Sequence, residues 1–239
     1  GRVCQHPVPG NADGPWRWFA CSLMPAEPCP PAQEIRLVEA SPLTPLPLSE
    51  VSAGYSLSLA TTSMGPASLP RWCVWVQPAT GNPPDRWQAR WLSAVDEALD
   101  TWSAHLPVVR VQDPGRAHVQ LLRRRPPRRR TASGWRASNG RSRLQIVRAR
   151  RRGVWRFEPK VSVLVSPELR APVLQATALH ELGHAFGLWG HSSDSGDAMA
   201  VHQGKAPVLK LSERDLETLQ WLRSQDARFG VSEGSETQD

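Results

Sequence analysis

The chain has 239 residues, of which 40% are hydrophobic, and a formal net charge of +7. That length and apolar content can bury one sizeable core, with residues left over for an extension. No apolar run approaches the roughly eighteen residues of a membrane-spanning helix, so such a helix is excluded.

Lysine occurs only at positions 160, 205 and 210, so arginine supplies nearly all of the positive charge. Two arginine-rich runs, 123–130 and 148–152, would suit an acidic partner such as nucleic acid, anionic polysaccharide or an acidic peptide. They equally suit a solvated loop and a strand edge. Trp135 alone between them makes no base-stacking platform, so no specific nucleic-acid partner is expected.

Residues 1–68 are rich in Pro, Ser, Ala and Gly and show no sustained period; Pro42, Pro45 and Pro47 exclude a continuous helix. This segment reads as an extension with little autonomy: a propeptide, a linker, or a lid on the main domain. Cys4, Cys21, Cys29 and Cys73 all fall in the first third, permit three pairings, and lack metal-site spacing. The chain begins at Gly1, so an export signal would have been removed or omitted, and export would favour disulfides. The expected location is secreted or periplasmic.

The main domain is expected over 69–230. Residues 71–76 read as a strand, ended by turn residues 78–84. A helix then starts at Pro84 or Asp85 and carries Trp87, Trp91, Val95, Leu99, Trp102 and Leu106 at helical spacing, a core stripe rather than a ligand site. Strands follow at 108–111, 118–122, 144–147 and 161–165. Apolar alternation breaks after Ile146, where Val147 and Ala149 take over, which predicts a bulge or an edge strand. Pro167 and Pro172 then lead into a second helix. Short connections predict an α+β domain, a twisted sheet with long helices on one face. Residues 231–239 form a polar tail. Gly230-Val231-Ser232-Glu233-Gly234 imitates a serine-hydrolase elbow, but no helix or histidine can follow it there.

The second helix carries His180-Glu181-Leu182-Gly183-His184. On a helix, His180 and His184 lie one turn apart on one face, so both imidazoles can reach one ion. Glu181 is then placed to bond a metal-bound water rather than the metal. Gly187 allows a sharp turn and His191 follows, giving three protein ligands with an open fourth position. Asp194, Asp197 and His202 are nearby substitutes for His191, as is a glutamate of the last helix, Glu213 or Glu217. His6, His105 and His118 have no partner spacing.

Residues 180–191 resemble the metzincin clan of zinc metallopeptidases, and within it the matrixins. Residues 191–199 resemble that family's run from third ligand to Met-turn, with Met199 as the apolar floor beneath the imidazoles. Residues 211–222 resemble its C-terminal helix. The likeness is specific over about 171–222 and architectural before that. It implies a zincin fold: a mixed five-stranded sheet on two long helices, a zinc cleft, and a small C-terminal subdomain with Met-turn and terminal helix. It also implies that the strand near 143–150 edges the cleft and pairs with extended substrate main chain.

Three departures stand out. Leu188, Trp189 and Gly190 put three residues between glycine and third histidine where the family has two, so His191 must reach across a bulge, with Gly190 expected to tolerate positive φ. Ala200-Val201 replaces the family's Tyr-Pro, which alters the wall of the specificity pocket, here Val201, His202 and Gln203. Residues 123–157 contain no His, Asp or Glu, so the structural zinc and calcium of matrixins are not expected there, and Trp135 would anchor the loop instead. The only tyrosine, Tyr55, is too far upstream to serve as the fifth ligand of related families, and Cys29 between prolines does not match the matrixin cysteine switch.

The expected function is zinc-dependent endopeptidase action on protein or peptide substrates, by a monomer with one Zn2+ held by His180, His184 and His191 and Glu181 as general base. Two alternatives remain: a zincin-fold binding module without turnover, and an arginine-rich polyanion-binding protein with an incidental HExxH. The intact Glu181 speaks against the first. Salt-sensitive retention on heparin or DNA without bound zinc would favour the second.

Overall fold

The structure is a computed structural model that describes residues 27–47, 52–132, 134–136, 138–202 and 204–232, with 131 and 134–136 described by backbone alone. In chain order the strands and helices are β1 (Ala32–Glu39), β2 (Thr44–Pro45), β3 (Ala60–Thr61), β4 (Trp72–Val76), α1 (Arg86–Ser103), β5 (Val108–Val111) and β6 (Val119–Arg123). Then come β7 (Arg129–Thr131), β8 (Gly134–Arg136), β9 (Gly140–Arg151), β10 (Val154–Val165), α2 (Ala171–Ala185) and α3 (Glu213–Ser224). The fold is mixed α/β. Cys4, Cys21, Gln203 and most of the polar tail lie outside the described residues, as does the Trp135 side chain.

One six-stranded sheet runs β1-β9-β10-β6-β4-β5. β5, β4, β6 and β10 are mutually parallel, while β9 is antiparallel to both β10 and β1. The sheet therefore has six strands where five were expected. The sixth, β1, comes from the Pro-rich extension. Its sequence gives little sign of a strand because its apolar residues are not buried: Ile35, Leu37 and Val38 are all exposed, so no core face imposes a period of two.

α1 begins at Asp85, whose carboxylate accepts from the Trp87 and Gln88 amides, the capping expected of Asp at this position. Its stripe of Trp91, Val95, Leu99 and Trp102 is buried as expected, but Trp87 is 48% exposed. The Arg86 and Arg90 guanidinium groups lie over the Trp87 ring, at 4.7 and 4.5 Å from its centroid. Cation–π contact thus covers the indole that was expected in the core. The indole N–H of Trp91 donates to the Val165 carbonyl at 3.1 Å and that of Trp102 to the Leu179 carbonyl at 2.9 Å, which docks α1 onto both β10 and α2.

β9 pairs with β10 in unbroken register from Gly140 to Arg151. The irregularity expected after Ile146 lies on its other side, where β1 slips register between Leu37, opposite Val147, and Glu39, opposite Ile146.

The extension is tied down at several points. Cys29 and Cys73 form a disulfide, which anchors the chain ahead of β1 to β4. Tyr55, Leu59 and Ala67 belong to the main hydrophobic core. The described residues of 27–68 are therefore part of the folded body.

Candidate metal centre

α2 is entered through Arg170 and Pro172, a proline in the first turn where no amide hydrogen is needed. His180 and His184 project from its last turns on one face. The helix ends at Phe186, and Gly187 takes φ +113°, a conformation that side chains rarely adopt. A Cβ there would also sit 2.9 Å from the Ala67 carbonyl oxygen. The chain reverses and brings back His191. One ring nitrogen from each of His180, His184 and His191 lies within 4.8 Å of the others, close enough for a single metal ion.

Gly190 serves this turn in a different way from the one expected. It is not among the residues at positive φ. Its bridge to Leu59 requires it, because a Cβ would stand 2.1 Å from the Ser58 carbonyl oxygen. The Ala60 amide also donates to the Trp189 carbonyl at 2.7 Å. The longer loop between glycine and histidine is thus clamped by the extension. Its extra length is used: the Trp189 ring stacks on His184, with centroids 5.5 Å apart.

The two helix histidines are held in one tautomer. Nδ1 of His180 lies 2.9 Å from the Ala198 carbonyl oxygen and Nδ1 of His184 lies 2.7 Å from that of Leu188. A carbonyl only accepts, so both Nδ1 atoms carry the proton and both Nε2 lone pairs are left for a ligand. Burial lowers the pKa of His180 to about 4 and that of His184 to about 3, and it also lowers that of His191. All three are neutral donors at pH 7. This donor set fits a metal ion and is compatible with zinc.

Glu181 is buried, and burial raises its carboxyl pKa to about 7 against the opposing pull of Ser142 and Arg141. The Ser142 hydroxyl is within 2.6 Å of the Glu181 carboxylate and 2.9 Å of its carbonyl oxygen. Gly140 lets β9 come this close, since a Cβ there would stand 2.6 Å from Glu181 Cγ.

Met199 is fully buried against α2, and a Cβ on Gly183 would lie 2.2 Å from its sulfur. The glycine inside HExxH is thus the gap into which Met199 fits. Asp215 anchors the loop that carries Met199: it accepts from the Ala198 amide at 2.8 Å and from the Tyr55 hydroxyl at 2.7 Å. Burial next to that carboxylate pushes the Tyr55 pKa far above its usual range, so Tyr55 acts as a donor. Asp197 is committed to Ser192, Ser212 and Arg214 rather than to a metal.

A cavity of about 420 Å3 opens beside His180 and Glu181, lined among others by Thr177, Val201, Arg170 and Lys205. Of the expected wall residues, Val201 lines it, His202 is exposed and does not, and Gln203 lies outside the described residues.

Sequence reading did not single out Ser142, Trp189 or Asp215 as site residues. Ser142 lies 39 residues before Glu181, and nothing local marks it. Asp215 does carry a signal: with Ser212 it forms a capping box at the start of α3. In comparisons with known proteins, no protein-family model matches the chain and no curated protein is similar to it.

Proposed function

We propose that the protein is a zinc-dependent endopeptidase of metzincin type. The observation that carries this reading is the placement of three free imidazole nitrogens within 4.8 Å beside the buried carboxylate of Glu181. His180, His184 and His191 would hold the ion. When bound, zinc supplies Lewis acidity that polarises a scissile carbonyl and lowers the pKa of water.

The chain's own groups supply the rest. Glu181, with its pKa near neutrality, takes the proton of the attacking water and passes it to the leaving amine as the C–N bond breaks. Ser142 fixes the rotamer of that carboxylate. Met199, packed into the gap at Gly183, supports the helix turn that carries the histidines. The strand expected to edge the cleft is covered by β1 over Ile146 to Arg151, so residues 140–145 of β9 offer their main-chain groups to an extended peptide. The protein would carry a single zinc ion and act after export, and the disulfide is in keeping with an oxidising compartment.

The test is cleavage of casein or gelatin by the purified chain with and without a chelator, together with Glu181→Ala. Chelator-sensitive cleavage is expected, with Glu181→Ala retaining one equivalent of zinc and losing hydrolysis. Wild-type turnover by Glu181→Ala would remove the general-base assignment, and absence of zinc after mild purification would remove the metal assignment.

A further inference from the structure

We propose that β1 is an end-stop for substrate, so that cleavage favours polypeptides with a free amino terminus and about four residues ahead of the scissile bond. This rests on the peptidase reading above.

β9 is paired with β10 along its whole length, but on its other edge β1 covers only Ile146 to Arg151. Among the described residues, no strand pairs with the outer edge of 140–145. That free half begins at the candidate site, where Ser142 bonds the Glu181 carboxylate. Unpaired main-chain groups at a sheet edge are a template for an added strand.

β1 itself shows that this edge accepts an antiparallel strand, and it fixes the direction. It runs from Ala32, opposite Arg151, to Glu39, opposite Ile146, and so points towards Glu181. A peptide continuing in the same line and sense would have its amino end at Glu39 and run on to Glu181. From Ile146 to Ser142 is four positions, or about 14 Å at roughly 3.4 Å per residue. A longer amino-terminal segment meets β1 and must leave the edge. The stop is fixed from behind by the Cys29–Cys73 disulfide and by the Arg151 guanidinium, which donates to the Pro30 carbonyl at 2.5 Å. Glu39 is exposed and makes no ion pair among the described residues. Its carboxylate suits an incoming α-ammonium group.

The experiment uses the full chain loaded with zinc and peptides that share one scissile sequence, preceded by one to eight residues, with free or acetylated amino termini. Two readouts are taken: kcat/KM by mass spectrometry, and binding of the same peptides to Glu181→Ala. We expect kcat/KM and affinity to peak near four residues and to fall about tenfold by eight. Acetylation or Glu39→Gln should reduce both several-fold at the optimum. Values that stay level or keep rising to eight residues overturn the end-stop while leaving the peptidase reading intact. Insensitivity to acetylation overturns the role of Glu39. Length-dependent binding without cleavage of any peptide would sink the peptidase reading and retain the stop; neither binding nor cleavage would sink both.

Discussion

The Tyr55 hydroxyl donates to the Asp215 carboxylate at 2.7 Å across 160 residues of chain. Asp215 also holds the Ala198 amide, and the Ala198 carbonyl accepts from Nδ1 of His180. Three hydrogen bonds thus connect the extension to a candidate metal ligand. Buried networks of this kind leave a costly gap when one member is removed.

Tyr55→Phe should therefore destabilise the fold by about 1–3 kcal/mol, because it strands a buried acceptor without changing shape. A thermal melt should shift down by several degrees. An unchanged midpoint would show that the Asp215 carboxylate does not depend on this donor.

Two glycines give a graded test of the centre's packing. In Gly183→Ala the new methyl meets the Met199 sulfur and sits 3.0 Å from the Trp102 ring, an overpacking expected to cost about 1–3 kcal/mol. In Gly190→Ala it meets the backbone of Ser58 and Leu59, which cannot rotate aside. Gly190→Ala should be the more damaging of the two in thermal melts and should also weaken zinc retention. The reverse order would show that the extension yields more readily than the core.

The sequence displayed the parts whose causes are local. Asp85 caps α1, Trp91 to Trp102 repeat at helical spacing, and His180 and His184 lie one turn apart, so each is readable from neighbours three or four residues away. The parts that escaped depend on distant partners. β1 has no buried face to set its period, Ser142 meets Glu181 through the sheet, and Gly190 is required by Ser58 rather than by its own φ. Trp87 followed the right period yet stayed outside, because two arginines cover its ring.

The stretch 123–157, which holds β7, β8 and β9, has no histidine, aspartate or glutamate. Calcium sites usually need carboxylates, and the arginines here would repel the ion. Adding calcium should leave the melting temperature unchanged, and elemental analysis should return one zinc per chain. A calcium-dependent rise in melting temperature, or a second metal bound within these residues, would contradict this.

His118 supplies a pH-dependent term separate from the candidate metal centre. It is largely buried beside Glu158 and Arg151, with its Nδ1 accepting from the Cys73 amide at 3.0 Å. Burial lowers its pKa from 6.5 to about 4, against the attraction of Glu158. Between those values the unfolded chain binds a proton that the folded chain does not, so stability falls as pH falls. The contribution is fully present above about pH 6.5 and is lost progressively down to about pH 4, where it has cost on the order of 3 kcal/mol. His118→Gln keeps an acceptor for the Cys73 amide but cannot titrate. Chemical denaturation of the two proteins from pH 7.5 to 4 should show a shallower loss for His118→Gln, by up to about 1.4 kcal/mol per pH unit in the steepest part. Parallel curves would mean that His118 is not the group being charged, and would move the acid sensitivity to the metal-site histidines.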